Sequence, residues 1–263
     1  MTDQADIESR APFPGSAGDL YYPAYRNFSS GPWTLKTVAM IAARGYWGDV
    51  HPVEGAAILS APDESGEPRA WMSLLPLEVE SQEIGLQAAR GHTVVFGMGM
   101  GWLAMNLALR PEVDLVTVVE RDAHILALIE ASGVIAALPA AAREKIRIVQ
   151  ADALEWRADR RVDSLQADIW QRVYEPQKLA EVWHMQRNVG AEALYYFGQE
   201  MDIWRFACRR AGHGAPELDW PELRRIVRDD IDLPLILPDW PDYPRKIAAG
   251  ASWWTPPGDW WRD

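Results

Sequence analysis

The residues with chemistry to offer lie between Gly91 and Trp170. Gly97, Gly99 and Gly101 alternate directly after the apolar run Thr93–Phe96 (TVVF), with Met98 inside the turn. Glycines so spaced remove the Cβ atoms that would keep a ligand from backbone N–H groups and from the start of a following helix. Glu120, 23 residues after Gly97, ends the next apolar run, Leu115–Val119, and is followed by Arg121. A carboxylate at the tip of a second strand can accept hydrogen bonds from both hydroxyls of a ribose. Asp152 and Ala153 follow a third run, Ile146–Val149, where a carboxylate can accept an adenine amino group and an amide can meet a ring nitrogen. Asp168 comes near the end of a fourth, weaker run, Val162–Ile169, with Trp170 beside it. Its carboxylate can orient or deprotonate a reacting group. The set describes a site for a nucleoside cofactor.

The flanking segments supply the frame. Continuous Val and Ile runs suit parallel strands covered on both faces. Between them, Trp102–Arg110 predicts a helix stopped by Pro111, and Ala123–Ser132 a helix capped by Asp122 and ended by Gly133. Further on, Gln177–Asn188 suits a helix, Ala193–Phe197 a fifth strand, and Met201–Arg210 and Pro221–Asp230 two more helices. Upstream, Thr34–Ala43 predicts a short helix, Gly55–Ser60 and Arg69–Leu75 a hairpin, and Pro76–Arg90 a helix with Pro in its first turn. Residues 1 to about 31 predict an irregular lead that Tyr21, Tyr22 and Tyr25 can anchor. Strand and helix alternate, so the expected fold is α/β: a Rossmann-like, doubly wound, mostly parallel sheet. A small N-terminal β-hairpin region precedes it and a Trp/Pro-rich extension follows. The expected organisation is a lead over 1–33, a helix and hairpin region over 34–90, the nucleotide-binding sheet over 91–212, and the extension over 213–263.

A glycine turn of this kind serves nicotinamide dinucleotides as well as S-adenosylmethionine. The spacing Gly-x-Gly-x-Gly lacks the third glycine position of the dinucleotide fingerprint. In VVFGMGMG, Glu120, Asp152 and Asp168, taken in order, the chain resembles the class I S-adenosylmethionine-dependent methyltransferases over about Thr93 to Phe197. The resemblance implies S-adenosylmethionine as cofactor. Amides of Gly97–Gly101 would then hold its methionine portion and Glu120, followed by Arg121, its ribose. Asp152 and Ala153 would recognise adenine, and Asp168 would lie at the methionine amino group or the acceptor. Trp170, Tyr195 and Tyr196 are candidates for an acceptor pocket.

The order hairpin, helix, glycine loop is also similar to the spermidine-synthase-like branch, which implies an aminopropyltransferase as an alternative. Here the loop reads GMGMGW, without the Asp of the branch's GGGDGG-like loop. A cofactor-binding subunit without catalysis is a further alternative, and a nicotinamide oxidoreductase another. The family usually closes its sheet with an antiparallel pair after the fifth strand, for which Leu233–Leu237 (LPLIL) is the one candidate.

Bulk composition excludes several classes. The chain has 263 residues, 48% of them hydrophobic, enough for a globular core. A net charge of −12 argues against nucleic acid, which needs a basic face. It suits solubility and is compatible with neutral or cationic acceptors. No apolar run is long enough to span a bilayer, and the start MTDQADIESR does not read as a secretory leader. The single cysteine, Cys208, excludes an internal disulfide and fits a cytoplasmic setting, with packing as its expected role. His51, His92, His124, His184 and His213 show no ligand spacing, so no metal is expected. The expected partner is a small-molecule or peptide acceptor. Trp253-Trp254 and Trp260-Trp261 are placed to cover the sheet edge, form a homodimer interface, or lid the acceptor pocket, in that order.

Overall fold

In the computed structural model residues 20–262 are described, so the lead before Leu20 lies outside the described residues. The N-terminal part is a four-stranded antiparallel sheet, β1 (Phe28–Ser30), β2 (Trp33–Arg44), β3 (Val50–Pro62) and β4 (Pro68–Ser73), in that order. The expected β3–β4 hairpin is present. The expected helix at Thr34–Ala43 is instead the body of β2, paired along its length with β3 from Thr34↔Ser60 to Arg44↔Val50. Thr34, Thr37, Val38 and Ile41 are β-branched, and a neighbouring strand decides the conformation of such a segment more than local propensity does. Pairing also captures the end of the lead, where Phe28 lies opposite Leu35. Tyr21, Tyr22 and Tyr25 are buried as anchors.

Helix α1 (Pro76–Ala88) leads to the nucleotide-type half: β5 (Gly91–Phe96), α2 (Trp102–Leu109), β6 (Val113–Glu120), α3 (Ala123–Ser132), the single turn α4 (Ala140–Arg143), β7 (Ile146–Gln150), β8 (Ser164–Ala167), α5 (Lys178–Val189), β9 (Ala193–Tyr196) and α6 (Gln199–Ala211). The sheet is wholly parallel, with order β7-β6-β5-β8-β9. The chain therefore winds outward from β5 in both directions, as in a Rossmann-like sheet, and ligands belong at the carboxyl ends near the β5/β8 switch. Alternating residues supply two cores, one on each face. Val94, Phe96, Leu165 and Tyr196 pack with α5 and α6, whereas Val95, Val116 and Val118 pack with α2, α3 and the N-terminal sheet. Asp122 caps α3 by accepting from the His124 amide, and Gly133 ends it at φ +72°.

Beyond β9 the sheet gains one parallel bridge, Leu194↔Leu235, with Ile236 donating to the Leu194 carbonyl at 2.7 Å. Pro234 has no N–H to continue the ladder, and among the described residues no antiparallel closing pair forms. The other regular elements of the tail are helical and joined by irregular segments: α7 (Trp220–Ile226) running into a π-helical turn at Val227–Ile231, then α8 (Tyr243–Trp254) and a 3₁₀ turn at Trp260–Arg262. The tail packs on α6 and on the β2–β3 turn. The Trp254 ring lies 4.4 Å from that of Tyr46, and its indole N–H donates to the Tyr46 carbonyl at 2.8 Å. Trp261 is buried and its carbonyl accepts from Arg209 at 2.7 Å. No helix among the described residues is long and apolar enough to cross a membrane.

Candidate functional site

The carboxyl ends of β5, β6 and β8 open on a cavity of about 490 Å³ that Gly97, Met98, Gly99, Glu120, Arg121, Asp152, Ala153, Asp168 and Trp170 help to line. Strand pairing brings them together. Phe96 lies opposite Val119 and Ala167, so the residues that follow each strand reach the same edge. The glycine turn is what lets the tips converge. Gly97 has φ +93°, and a Cβ there would stand 2.3 Å from the Asp168 carbonyl. Gly99 has φ +48°, and its Cβ would meet the Met72 sulfur at 2.1 Å. Gly101 caps α2 at φ +77° and lies behind the cavity wall.

The turn's amides are mostly spent within the chain. Gly97 N–H donates to the Val119 carbonyl at 3.0 Å and Gly101 N–H to the Met98 carbonyl at 2.8 Å. Met98 N–H donates to Glu120 Oε2 at 2.9 Å, and Met100 N–H points at the Met72 sulfur at 3.2 Å. The Gly99 amide alone is left for a ligand, fewer donors than the sequence pattern leads one to expect. Glu120 also accepts from Asp122 N–H through Oε1 at 2.8 Å. Each of its oxygens is thus fixed by one backbone donor and keeps a second acceptor position. Asp152 accepts from Leu154 N–H at 2.8 Å while its carbonyl accepts from Trp156 at 2.9 Å, so it caps a turn as well as facing the cavity. Arg121 is exposed, with its guanidinium 3.7 Å from Asp152.

At the other end of the cavity stand residues that the sequence did not single out. Helix α1 crosses β8 and β9 closely enough that a Cβ on Gly85 would sit 2.0 Å from Gln166 Oε1. Gln166 donates to the Gly85 carbonyl at 3.0 Å, and the Tyr195 hydroxyl donates to the Ser81 backbone carbonyl. This seating delivers Glu78 and Gln82, one turn apart, to Asp168. Gln82 Nε2 donates to Asp168 Oδ2 at 2.8 Å, and Glu78 lines the same wall. Burial pushes the Asp168 carboxyl up to about 7, against the pull of the Lys178 ammonium. Burial, then the Asp168 charge, holds Glu78 well above the ordinary carboxylate range. With its pKa near neutrality Asp168 can lose its proton at physiological pH and then serve as a proton acceptor, while the neighbouring Glu78 carboxyl stays protonated to higher pH. Their only sequence signal is the helical i, i+4 spacing of Glu78 and Gln82, which carries nothing until α1 is seated.

Aromatic rings complete the cavity lining. The Trp33 and Trp71 rings meet edge to face at 5.7 Å, and Trp33 donates to Asp122 at 2.7 Å. Trp170 donates to Glu181 at 2.6 Å. Tyr195 and Tyr196 do not line the cavity, contrary to expectation. Both are fully buried in the core that packs against α5 and α6, Tyr195 beneath α1 and Tyr196 bonded to Asp202 at 2.9 Å, because strand residues short of the tip are covered by the flanking helices and do not reach past the edge. Trp253, Trp254, Trp260 and Trp261 also lie away from this cavity. Cys208 is buried, and burial pushes its thiol up to about 11, which makes it unreactive at neutral pH. No cluster of three or more His, Cys, Asp or Glu side chains arranged for a metal occurs among the described residues.

No family model matches the chain, and no curated protein matches its sequence. Among solved structures it is similar to the glycopeptide N-methyltransferase MtfA complexed with sinefungin, at 19% identity over 42% of this chain and 44% of that one, with a TM-score of 0.34. It is likewise similar to DhpI complexed with SAH, at 19% identity over 44% and 54% of the two chains and a TM-score of 0.32. A third is the 23S rRNA methyltransferase ErmE, at 16% identity over 42% of each chain and a TM-score of 0.32. The matched segment thus spans about half or less of these neighbours, and function rests on the cavity's own residues.

Proposed function

We propose that this chain is an S-adenosylmethionine-dependent methyltransferase acting on a small-molecule or peptide acceptor. The observation that carries the reading is the convergence of Glu120, Asp152 and Asp168, from three parallel strands, on one cavity beside a glycine turn. The residues fit the cofactor. Glu120 has two acceptor positions left for the ribose hydroxyls, Asp152 and Ala153 present an acceptor and an amide for adenine, and Gly99, also on the cavity wall, retains an unspent N–H. When bound, the sulfonium supplies an electrophilic methyl group. The chain's part is to hold the acceptor's lone pair in line with the S–CH₃ bond, and such positioning can contribute roughly 7–11 kcal/mol. Asp168, which Gln82 holds in place, would be the base that takes the acceptor's proton when the methyl group is transferred.

One observation favours a second reading. Glu78, Asp168, Glu175 and Glu181 all line the acceptor end, whereas Arg121 is the only basic side chain on the cavity wall among the described residues. Four acidic side chains, which an approaching polycation would draw into their charged forms, favour aminopropyl transfer from decarboxylated S-adenosylmethionine. A thermal-shift panel of S-adenosylmethionine, S-adenosylhomocysteine, the decarboxylated form and NADH separates the readings. At 100 times its Kd a ligand stabilises by about 2.7 kcal/mol. Methyl transfer expects the first two to shift the midpoint. A larger shift with the decarboxylated form establishes the alternative, and a shift with NADH alone removes both.

A further inference from the structure

Lys178 is a buried cation that the reaction above does not use. It is 1% exposed at the first residue of α5, where the positive end of the helix disfavours an ammonium. Its Nζ donates to three carbonyls, those of Arg172 at 2.7 Å, Val173 at 2.8 Å and Phe197 at 3.0 Å, which uses every N–H it has. It also sits 4.8 Å from the Phe197 ring centroid and 5.2 Å from that of Trp170. Gly198 permits this closeness: its φ is +84°, and a Cβ there would lie 2.3 Å from the Val173 carbonyl.

The carbonyls belong to two different segments. Phe197 follows β9, while Arg172 and Val173 lie in the segment 169–177 that leaves β8 just after Asp168. That segment contributes Ile169, Trp170, Gln171, Glu175 and Gln177 to the cavity wall. Its other side, through Arg172, Val173 and Tyr174, lines a separate groove with Trp253 and Trp254, and Gln171 and Glu175 face both spaces. A lysine tying the partition to the end of β9 therefore sets the width of the acceptor side.

We propose that Lys178 is a positioning residue, whose ammonium pins the segment 169–177 as the fixed acceptor wall and holds a compensating charge behind Asp168. Burial pulls the Lys178 ammonium down to about 8, and Asp202, Asp168, Glu175 and Glu200, from α6, the β8 tip and the wall segment itself, draw it back up. A buried charge is costly to keep unless the geometry it imposes is used. The wall part of the proposal stands without the methyltransferase reading; the charge part rests on it.

The test uses the full chain with Lys178→Met and Lys178→Arg, read by hydrogen exchange and by S-adenosylhomocysteine titrations between pH 6 and 9. In Lys178→Met, peptides covering 169–177 should exchange at least tenfold faster while β5 and β6 keep their protection. The pH midpoint of the affinity should rise by half a unit or more, because Asp168 has lost its cation. Lys178→Arg should restore the midpoint but not the protection, since a planar guanidinium cannot converge on three carbonyls. Equal acceleration in every peptide makes Lys178 a general packing residue and overturns the proposal, as does an unchanged 169–177. Should Lys178→Met fail to fold, wild-type exchange decides: protection of 169–177 within tenfold of α5 supports the brace, and near-free exchange overturns it. Failure of the wild-type chain to bind S-adenosylhomocysteine sinks the methyltransferase reading and leaves the exchange result to judge the wall.

Discussion

Replacing Glu120 by Gln tests the cofactor half of the site most sharply, because the side chain's shape is kept. In the native structure Oε2 accepts from Met98 N–H and Oε1 from Asp122 N–H, so the carboxylate is held by two donors before any ligand arrives. Two acceptor positions remain for the ribose hydroxyls. Glutamine keeps one carbonyl oxygen and turns the other position into an NH₂ that confronts a backbone donor. A hydrogen bond to a charged group contributes about 1.5–3 kcal/mol, and one such bond plus the charge on the other is lost. We expect S-adenosylhomocysteine to bind about 2–3 kcal/mol more weakly, or roughly 30- to 150-fold, by calorimetry. On the stability side, one orphaned backbone N–H costs about 1–3 kcal/mol in urea unfolding. The two measurements must diverge: affinity per folded molecule falls while the chain still folds. An affinity within threefold of wild type, with the expected loss of stability, would place Glu120 as a brace of the glycine turn alone and refute the ribose assignment.

Two further outcomes follow from the same geometry. Asp168 holds its proton up to about pH 7 in the fold, whereas an unfolded aspartate loses it near pH 4. The folded state thus binds more protons between those values, and the carboxyl's contribution to stability falls as pH rises from about 4 to about 7. Compared with wild type by urea unfolding, Asp168→Asn should gain relative stability between pH 5 and pH 8, and methyl transfer by the wild type should rise through pH 7. A constant difference between the two proteins would remove the raised carboxyl. Trp254→Ala deletes a buried ring packed at a tilt against Tyr46 and should cost about 3–5 kcal/mol of stability. Cofactor affinity, measured by the same calorimetry, should stay within threefold; a larger change would couple the tail to the site.

What the sequence made legible is what local chemistry dictates. The Val-rich β5 and β6, the Asp122 cap and the Gly133 stop of α3 each satisfy a backbone requirement with neighbouring residues, so pattern and structure agree. Thr34–Ala43 misled because its apolar spacing is compatible with one helical face, and only the long β3 beside it selects the strand. The sequence locates Tyr195 and Tyr196 on β9, but pointing direction depends on what covers each face. Glu78, Gln82 and Lys178 were invisible for a third reason. They are ordinary helix residues by type, and each acquires chemistry only through a contact more than local: Gln82 with Asp168 86 positions away, and Lys178 with Phe197 across β9.

The cavity is therefore a product of two sheets. The parallel sheet supplies Glu120, Asp152 and Asp168, but these form an open edge until the N-terminal half is laid against them. Trp33 on β2 donates to Asp122, Met72 on β4 covers the Met100 amide, and α1 brings Gln82 to Asp168. Gly85 sets how closely α1 can lie, since any side chain there would strike Gln166 and Tyr195. A helix lifted by even the width of a methyl group would take the Gln82 donor out of the 2.8 Å contact that fixes Asp168. Acceptor geometry is thus controlled from β8 and β9 outward through a glycine that touches no substrate, which is why the acceptor end could not be read from the strand tips alone.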